Sequence, residues 1–173
     1  MQFKPKQRKV ILMFALILIF SVSAMIPVER NYVFVDNKTG KITAYIKTID
    51  PDFQIKYIHS IHLSEVLESY QVLSDNTIQL TELEYEDFNI GMPSNAGEGE
   101  TFVEKDGKYF IKNMNRKLPD FRLFVGDVDA GLFFLANGQE FDLKKVLKYG
   151  NSYTFQIRRL SVVEKLQGVN LNE

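Results

Sequence analysis

FQIKYIHSIHLSEVLESYQVL, residues 53–73, alternates apolar and polar side chains in both of its halves. Alternate residues of a β-strand share one face of a sheet, so this pattern predicts two strands that each bury one face. The buried face of the first strand would carry Phe53, Ile55, Tyr57, His59 and Ile61, and that of the second Glu68, Tyr70 and Val72. A reversal of the chain near Leu63-Ser64 would join the two strands into an antiparallel hairpin.

The predicted hairpin places a polar pair on its buried face. The matching register sets Ile55 opposite Val72, Tyr57 opposite Tyr70 and His59 opposite Glu68. Directly opposed residues have Cβ atoms about 5 Å apart, and charged groups are seldom buried without a partner. We therefore predict a site around His59 and Glu68, covered by Tyr57 and Tyr70. Such a pair either fixes the register of the hairpin or contributes to a ligand pocket.

Composition bounds the class of protein. The 173 residues are 45% hydrophobic and 13% aromatic, which is typical of one globular domain with a substantial core. The chain has no cysteine, which excludes disulfides, thiolate metal sites and a cysteine nucleophile. Its net charge of −1 hides an asymmetry, because four basic residues precede position 10. The rest holds 17 of the 21 basic residues and all 22 acidic ones, so it carries about −5 and disfavours nucleic-acid binding.

The N-terminus is a targeting or membrane segment. Residues 1–9 are basic, and Val10 to Ile26 forms a run of 17 residues without a charge. The small residues Val22-Ser23-Ala24 would suit cleavage of a signal peptide, whereas the length of the run reaches the ~17–25 residues of a single membrane span. We favour the anchor. Both alternatives place the body outside the cytoplasm, because the basic residues precede the apolar run; cleavage would make the protein secreted.

The rest of the chain also has a period near two. Short alternating stretches are separated by tight-turn signals, of which Asp106-Gly107 and Asn137-Gly138 are the strongest. Glu82, Glu84 and Glu86 alternate and predict a solvated strand face. Asp142 can cap a short helix near 143–148.

These patterns predict an all-β fold. We expect an antiparallel β-sandwich or open barrel of about ten short strands, preceded by one N-terminal transmembrane or signal helix. The predicted divisions are a signal peptide or membrane anchor over 1–27, an extracytoplasmic β-domain over 32–160 and a C-terminal tail over 161–173.

Four motifs carry a resemblance to a known family. They are YIHSIHLSEVLESYQV (57–72), DFNIGMPSNAGEGE (87–100), DGKYFIKN (106–113) and FDLKKVLKYGNSYTFQIRR (141–159). In this order they resemble the DUF1850 family of small bacterial and archaeal proteins, over Val33 to Arg159. The resemblance implies an N-terminal membrane segment and genes that often sit beside TRAP-type transporters. The family's motif positions correspond to His59, Ser60, Glu68, Gly91, Met92 and Pro93, and no catalytic residue can be carried over.

Catalysis and metal binding are both disfavoured by residue spacing. Ser60 follows His59 directly, and adjacent strand residues point to opposite faces, so the two cannot form a nucleophile–base pair. The series His59, His62, Glu65 and Glu68 does not share one face of a helix or of a strand. We therefore expect no enzyme activity, no cofactor and no metal. The predicted function is a membrane-anchored domain accessory to a TRAP-type transporter; the alternative is an extracytoplasmic binder of a small ligand or metal at a His59/Glu68 pocket.

Overall fold

A computed structural model describes residues 5–59, 63–86, 92–128 and 130–173 of the chain. Within these residues the helical segments are α1 (Pro5–Ala24), a 3₁₀ turn (Leu143–Lys145) and α2 (Val162–Lys165). The strands are β1 (Glu29–Asp36), β2 (Ile42–Lys47), β3 (Asp52–Ile58), β4 (Glu65–Val72), β5 (Ile78–Tyr85), β6 (Thr101–Lys105), β7 (Lys108–Lys112), β8 (Arg116–Leu118), β9 (Asp120–Val125), β10 (Leu132–Ala136), β11 (Gln139–Asp142), β12 (Asn151–Leu160) and β13 (Val169–Asn170).

The described strands form two sheets that pack face to face. Sheet A has the order β13-β2-β1-β12-β9, and sheet B has the order β11-β10-β3-β4-β5-β7-β6 with β8 also paired to β5. Neighbouring strands in these sheets run antiparallel, except that β13 runs parallel to β2. The predicted all-β sandwich is confirmed.

Aromatic side chains from both sheets fill the main core. Phe155 of sheet A is fully buried at the centre of this core. Its ring centroid lies 4.9 to 5.9 Å from those of five other rings: Phe121, Phe53, Phe34, Phe134 and Tyr32. Each large apolar side chain that is fully buried contributes about 1.5–3 kcal/mol, so this cluster is the principal support of the sandwich.

A second hydrophobic cluster belongs to sheet B alone among the described residues. Its buried members are Val66, Leu83, Tyr85, Ile111 and Met114. Sheet B has more strands than sheet A, and these side chains come from its β4-β5-β7 part and from Met114 beyond β7. Tyr57 and Leu80 pack against both clusters and so join the second cluster to the main core.

The tight turns and the short helix both agree with the sequence. Both residues of Asn137-Gly138 and of Asp106-Gly107 have positive φ, as two-residue hairpin turns require. The short helix predicted near 143–148 is present as a 3₁₀ turn over Leu143–Lys145, capped by Asp142 as expected. The Leu147 amide still donates to the Leu143 carbonyl at 2.8 Å, and the next amide, that of Lys148, donates to the Tyr153 hydroxyl at 2.8 Å.

The alternating glutamates of β5 face away from the core. The Lys108 ammonium lies 2.6 Å from the Glu84 carboxylate, and Lys112 lies 3.4 Å from Glu82. These ion pairs lie across neighbouring strands on the outer surface of sheet B, as the alternation predicts.

Helix α1 is separate in character from the sandwich. Lys6 to Ala24 has a mean hydropathy of 1.7, and none of this segment is buried inside the structure. At about 1.5 Å per residue, the twenty residues of α1 extend about 30 Å, the thickness of a bilayer's hydrocarbon core. The helix fits a membrane anchor or a signal sequence.

The C-terminal residues 161–173 fold back along the β2 side of sheet A, where β13 becomes the edge strand. Ser161 and Glu164 form a reciprocal capping box at the start of α2. Further on, β13 pairs with β2, and a Cβ on Gly168 would lie 2.8 Å from a methyl group of Ile42. This segment therefore packs closely against β2.

Candidate functional site

The β3–β4 hairpin has the predicted faces but a different register. Phe53 lies opposite Tyr70, Ile55 opposite Glu68 and Tyr57 opposite Val66, so each partner is four residues earlier in β4 than predicted. An even shift keeps every side chain on its own face, which is why the inward faces agree with the sequence pattern. The predicted pairing of His59 with Glu68 is wrong.

The register changes because the hairpin closes earlier than predicted. The His59 amide donates to the Ser64 carbonyl at 2.9 Å, and the Leu63 amide donates to the His59 carbonyl at 2.8 Å. Ser60 and His62 lie outside the described residues. The shift buries Val66 opposite Tyr57. Ser64 and Glu68 are four residues apart in sequence, so His59 and Glu68 are separated by about 13 Å along the hairpin.

Glu68 is a half-buried carboxylate whose partner is a tyrosine. The Tyr70 hydroxyl, two residues along the same face, donates to Glu68 Oε2 at 2.6 Å. Burial raises the pKa of Glu68, while the hydrogen bond from Tyr70 opposes that shift. The ring of Tyr70 is stacked between Phe53 and Phe121, at centroid distances of 4.9 and 5.2 Å. The acceptor is thus held against a rigid aromatic donor.

Tyr57 is the residue that connects the parts of the predicted site. Burial, and then the charge of Glu68, raise the pKa of Tyr57, so its hydroxyl stays protonated at neutral pH. The same side chain packs against both hydrophobic clusters. Tyr57, Glu68 and Tyr70 therefore form one polar group on the inner face of sheet B, which we call the tyrosine–glutamate group.

His59 lies beside a cleft, not beside Glu68. The cleft has a volume of about 500 Å³ and lies at the end of the sandwich where β9 ends and β10 begins. Its polar wall includes Tyr57, His59, Asp127 and Lys144; its apolar wall includes Leu123, Phe124, Val128 and Leu132. The Lys144 ammonium donates to the Val128 carbonyl at 2.6 Å, so its charge is held at the edge of the cleft.

Met92 and Pro93 lie against the second cluster. Met92 packs on its apolar side chains, and the Tyr85 hydroxyl donates to the Pro93 carbonyl at 2.5 Å. Gly91, the remaining predicted site residue, is outside the described part of the chain. The predicted site is therefore divided among the tyrosine–glutamate group, the His59 cleft and the Met92-Pro93 segment.

Sequence patterns did not single out the other lining residues of the cleft. Lys144 and Asp127 come from segments far from the hairpin in sequence, and only the folding of β9, β10 and the 3₁₀ turn brings them to His59. The described residues contain no group of three or more His, Asp or Glu side chains placed to hold a metal ion.

The fold and the site define a class: an all-β sandwich domain that follows a long apolar N-terminal helix. The family model described as "Domain of unknown function (DUF1850)" matches residues 53–143, more than half of the chain. The chain belongs to the DUF1850 family. The matched range covers sheet B from Phe53 onward together with β9, and it contains every predicted site residue. No curated protein and no solved structure matches the chain in the corresponding comparisons.

Proposed function

We propose that this protein is a membrane-anchored extracytoplasmic domain that acts by binding rather than by catalysis, as an accessory to a TRAP-type solute transporter. The observation that carries the proposal is the division of the molecule into an unburied apolar helix and a separate sandwich. The transporter link is supported by the family resemblance, which implies genes beside such transporters. The use of Glu68 as a hydrogen-bond acceptor for Tyr70 in a stacked aromatic setting supports a non-catalytic role.

The orientation follows from the charges of the leader. Lys4, Lys6, Arg8 and Lys9 all precede the apolar run, so the N-terminus stays inside and the sandwich faces outward. Protease added to intact protoplasts is expected to digest the body. A body that resists protease until the membrane is lysed would contradict this orientation.

The transporter association is tested by purification from native membranes. The full chain is solubilised in mild detergent, and the accompanying proteins are identified by mass spectrometry. A transporter subunit enriched with this chain supports the proposal. The matched control carries residues 1–28 fused to an unrelated soluble domain, because enrichment by both proteins would assign the contact to α1 alone. Absence of transporter subunits from both samples would contradict the proposal.

The His59 cleft favours a second candidate function, the binding of a small solute. Its apolar wall is bordered by the ammonium of Lys144 and the carboxylate of Asp127, which would suit a small carboxylate or a zwitterion such as an amino acid. A thermal-shift panel of amino acids and mono- and dicarboxylates tests this candidate. Stabilisation that is lost in Lys144→Met but kept in Lys145→Met, which changes an exposed neighbour outside the cleft, supports it. A panel without any stabilising solute contradicts it.

A further inference from the structure

Exposed apolar side chains are grouped where the chain passes from α1 into the sandwich. Val162 and Val163 of α2 are 59% and 45% exposed, Leu166 is 82% exposed and Val28 is 62% exposed. We call these four residues the anchor-side patch. Valine has a low helix propensity, and an exposed leucine contributes no hydrophobic burial to the stability of the fold. The stability of the sandwich therefore does not explain why α2 carries these apolar residues. Grouped exposed apolar side chains mark contact surfaces.

The connection to α1 fixes where the anchor-side patch lies. The Val28 amide donates to the Leu160 carbonyl at 3.2 Å, and α2 begins two residues after Leu160. Helix α1 ends at Ala24, and the four residues from there to Val28 can span at most about 14 Å. If α1 lies in a bilayer, the anchor-side patch is held within a short distance of the headgroups.

Charges around the anchor-side patch suit an anionic surface. Among the described residues, two carboxylates lie near the anchor-side patch, those of Glu29 and Glu164. The basic side chains near the patch are Lys47, Arg158, Arg159 and Lys165. Arg159 donates to the Val28 carbonyl at 2.9 Å, so one of these charges sits directly at the exit of the anchor. This local excess is positive although the body as a whole is negative. Basic side chains beside exposed apolar groups are the combination that binds anionic bilayer interfaces.

The turns at the same end of sheet B have the opposite charge. Asp50, Asp52 and Asp75 lie there together with Arg30 and Lys117: the Val72 amide donates to the Pro51 carbonyl, the Arg30 guanidinium donates to the Leu73 carbonyl, and Lys117 lies near Asp75. Three carboxylates against two cations leave this side with a net negative charge. An anionic bilayer would repel this side and attract the side with α2. The asymmetry favours one tilt of the sandwich, with the edge of sheet A toward the lipid.

We propose that the anchor-side patch rests in the headgroup region of the outer leaflet, as a second membrane contact beside α1. This inference depends on the membrane anchoring proposed above. The contact fixes the orientation of the sandwich, so that the His59 cleft opens at the far end. Ser152, which pairs with Phe124 at that end, is eight residues from Leu160 in β12, or about 26 Å away.

The absence of cysteine makes a direct test possible with the full chain. Three single variants, Leu166→Cys, Phe124→Cys and Leu16→Cys, are labelled with a fluorophore that brominated lipid quenches. Each is reconstituted into vesicles of phosphatidylcholine and phosphatidylglycerol with brominated acyl chains. Phe124 is the matched control, because it is a large apolar residue, 65% exposed, at the far end of the sandwich. Leu16 reports whether α1 enters the bilayer.

We expect lipid to quench the probes at positions 16 and 166. Quenching at position 166 should be roughly threefold stronger than at position 124, and it should weaken when phosphatidylglycerol is omitted. Quenching at 16 with equal background signals at 166 and 124 would overturn the second contact and leave the anchor intact. A probe at 16 that is not quenched would refute the anchoring, and with it this inference. If the probe at position 166 is protected only when a co-purified protein is present, and not by lipid, the anchor-side patch binds a protein. That result would also overturn the proposed lipid contact.

Discussion

The two hydrophobic clusters of this molecule are closed in different ways. The main core lies between two sheets, and its central ring, Phe155, contacts aromatic rings from both of them. Within the described residues the second cluster is supplied without sheet A, and the Met92-Pro93 segment lies against it. A core between two sheets is supported on both faces, whereas a cluster covered by a connecting segment depends on a few contacts with that segment.

The tyrosine–glutamate group lies at the border between these regions. Tyr70 belongs to the main core, Tyr57 packs against both clusters, and Glu68 lies opposite Ile55 on one side and Leu83 on the other. The Glu68 carboxylate is partly buried beside these apolar side chains, and it is stabilised there by the hydrogen bond that it accepts from Tyr70 of the main core. The buried carboxylate of the β3–β4 hairpin therefore lies where the two clusters meet, whereas His59 lies beside the cleft.

The largest expected effect concerns the centre of the main core. Phe155→Ala removes the ring that five other aromatic rings contact, and the surrounding sheets can collapse only partly into the space. We expect the free energy of unfolding to fall by about 3–5 kcal/mol, measured by urea denaturation. Phe124→Ala, at an exposed position, is the control and should change it by less than about 0.5 kcal/mol. Equal effects of the two substitutions would contradict the assignment of the main core.

A smaller effect is expected at the border between the clusters. Burial raises the pKa of Glu68, so in the folded protein its carboxyl holds a proton more readily than in the unfolded chain. Its contribution to stability is therefore full below the unfolded pKa and is lost as the pH rises through the folded pKa. Glu68→Gln removes this dependence, so relative to wild type it should be more stabilising at pH 8 than at pH 4.

Thermal unfolding of wild type and Glu68→Gln from pH 4 to pH 8 measures this difference. Glu164→Gln is a suitable control, because hydrogen bonds from Ser161 lower the pKa of Glu164 and the pH dependence should have the opposite sign. The opposite result would be a wild-type stability that rises with pH, with the rise abolished by Glu68→Gln. It would show that the effect of the Tyr70 hydrogen bond on the pKa of Glu68 is larger than the effect of burial.

The second cluster predicts a local effect. Tyr85→Phe removes the hydrogen bond to the Pro93 carbonyl but keeps the buried ring. We expect a loss of about 0.5–1 kcal/mol in global stability. Amide exchange in residues 92–100 should become faster, because that segment loses a direct contact with the cluster. If amide exchange in residues 92–100 stays unchanged while exchange in the main core becomes faster, the second cluster does not depend on the Met92-Pro93 segment as described.

The sequence predicted the strands and their faces because burial follows a period of two. Phe53, Ile55 and Tyr57 face inward as expected, and the turns at Asn137-Gly138 and Asp106-Gly107 follow from residues that accept positive φ. The same period could not determine the register, since a shift by an even number of residues leaves the pattern of faces unchanged.

Elements held by distant contacts were also beyond the sequence pattern. The His59 cleft is assembled from β3, β9, β10 and the 3₁₀ turn, and its residues have no common spacing in the chain. Residues 161–173 showed little periodicity, yet they form α2 and β13. One local signal was available there, the Ser161…Glu164 spacing of a capping box, which predicts the start of a helical turn.

The smallest expected effect is the coupling between His59 and Glu68, and it tests the observed register directly. In the predicted register the two side chains would be adjacent, and the double substitution would cost clearly less than the sum of the singles. In the observed register Glu68 lies opposite Ile55 and bonds to Tyr70, while the His59 backbone pairs with Ser64. The effects of His59→Ala and Glu68→Ala on the free energy of unfolding should therefore add to within about 0.5 kcal/mol.

The matched double-mutant cycle uses Tyr70→Phe and Glu68→Ala. It should show a coupling of about 1 kcal/mol or more, because it removes the hydrogen bond between the Tyr70 hydroxyl and the Glu68 carboxylate. Strong coupling between His59 and Glu68, with no coupling between Tyr70 and Glu68, would contradict the observed register. It would show that the polar pair lies at the end of the hairpin and not at the border of the clusters.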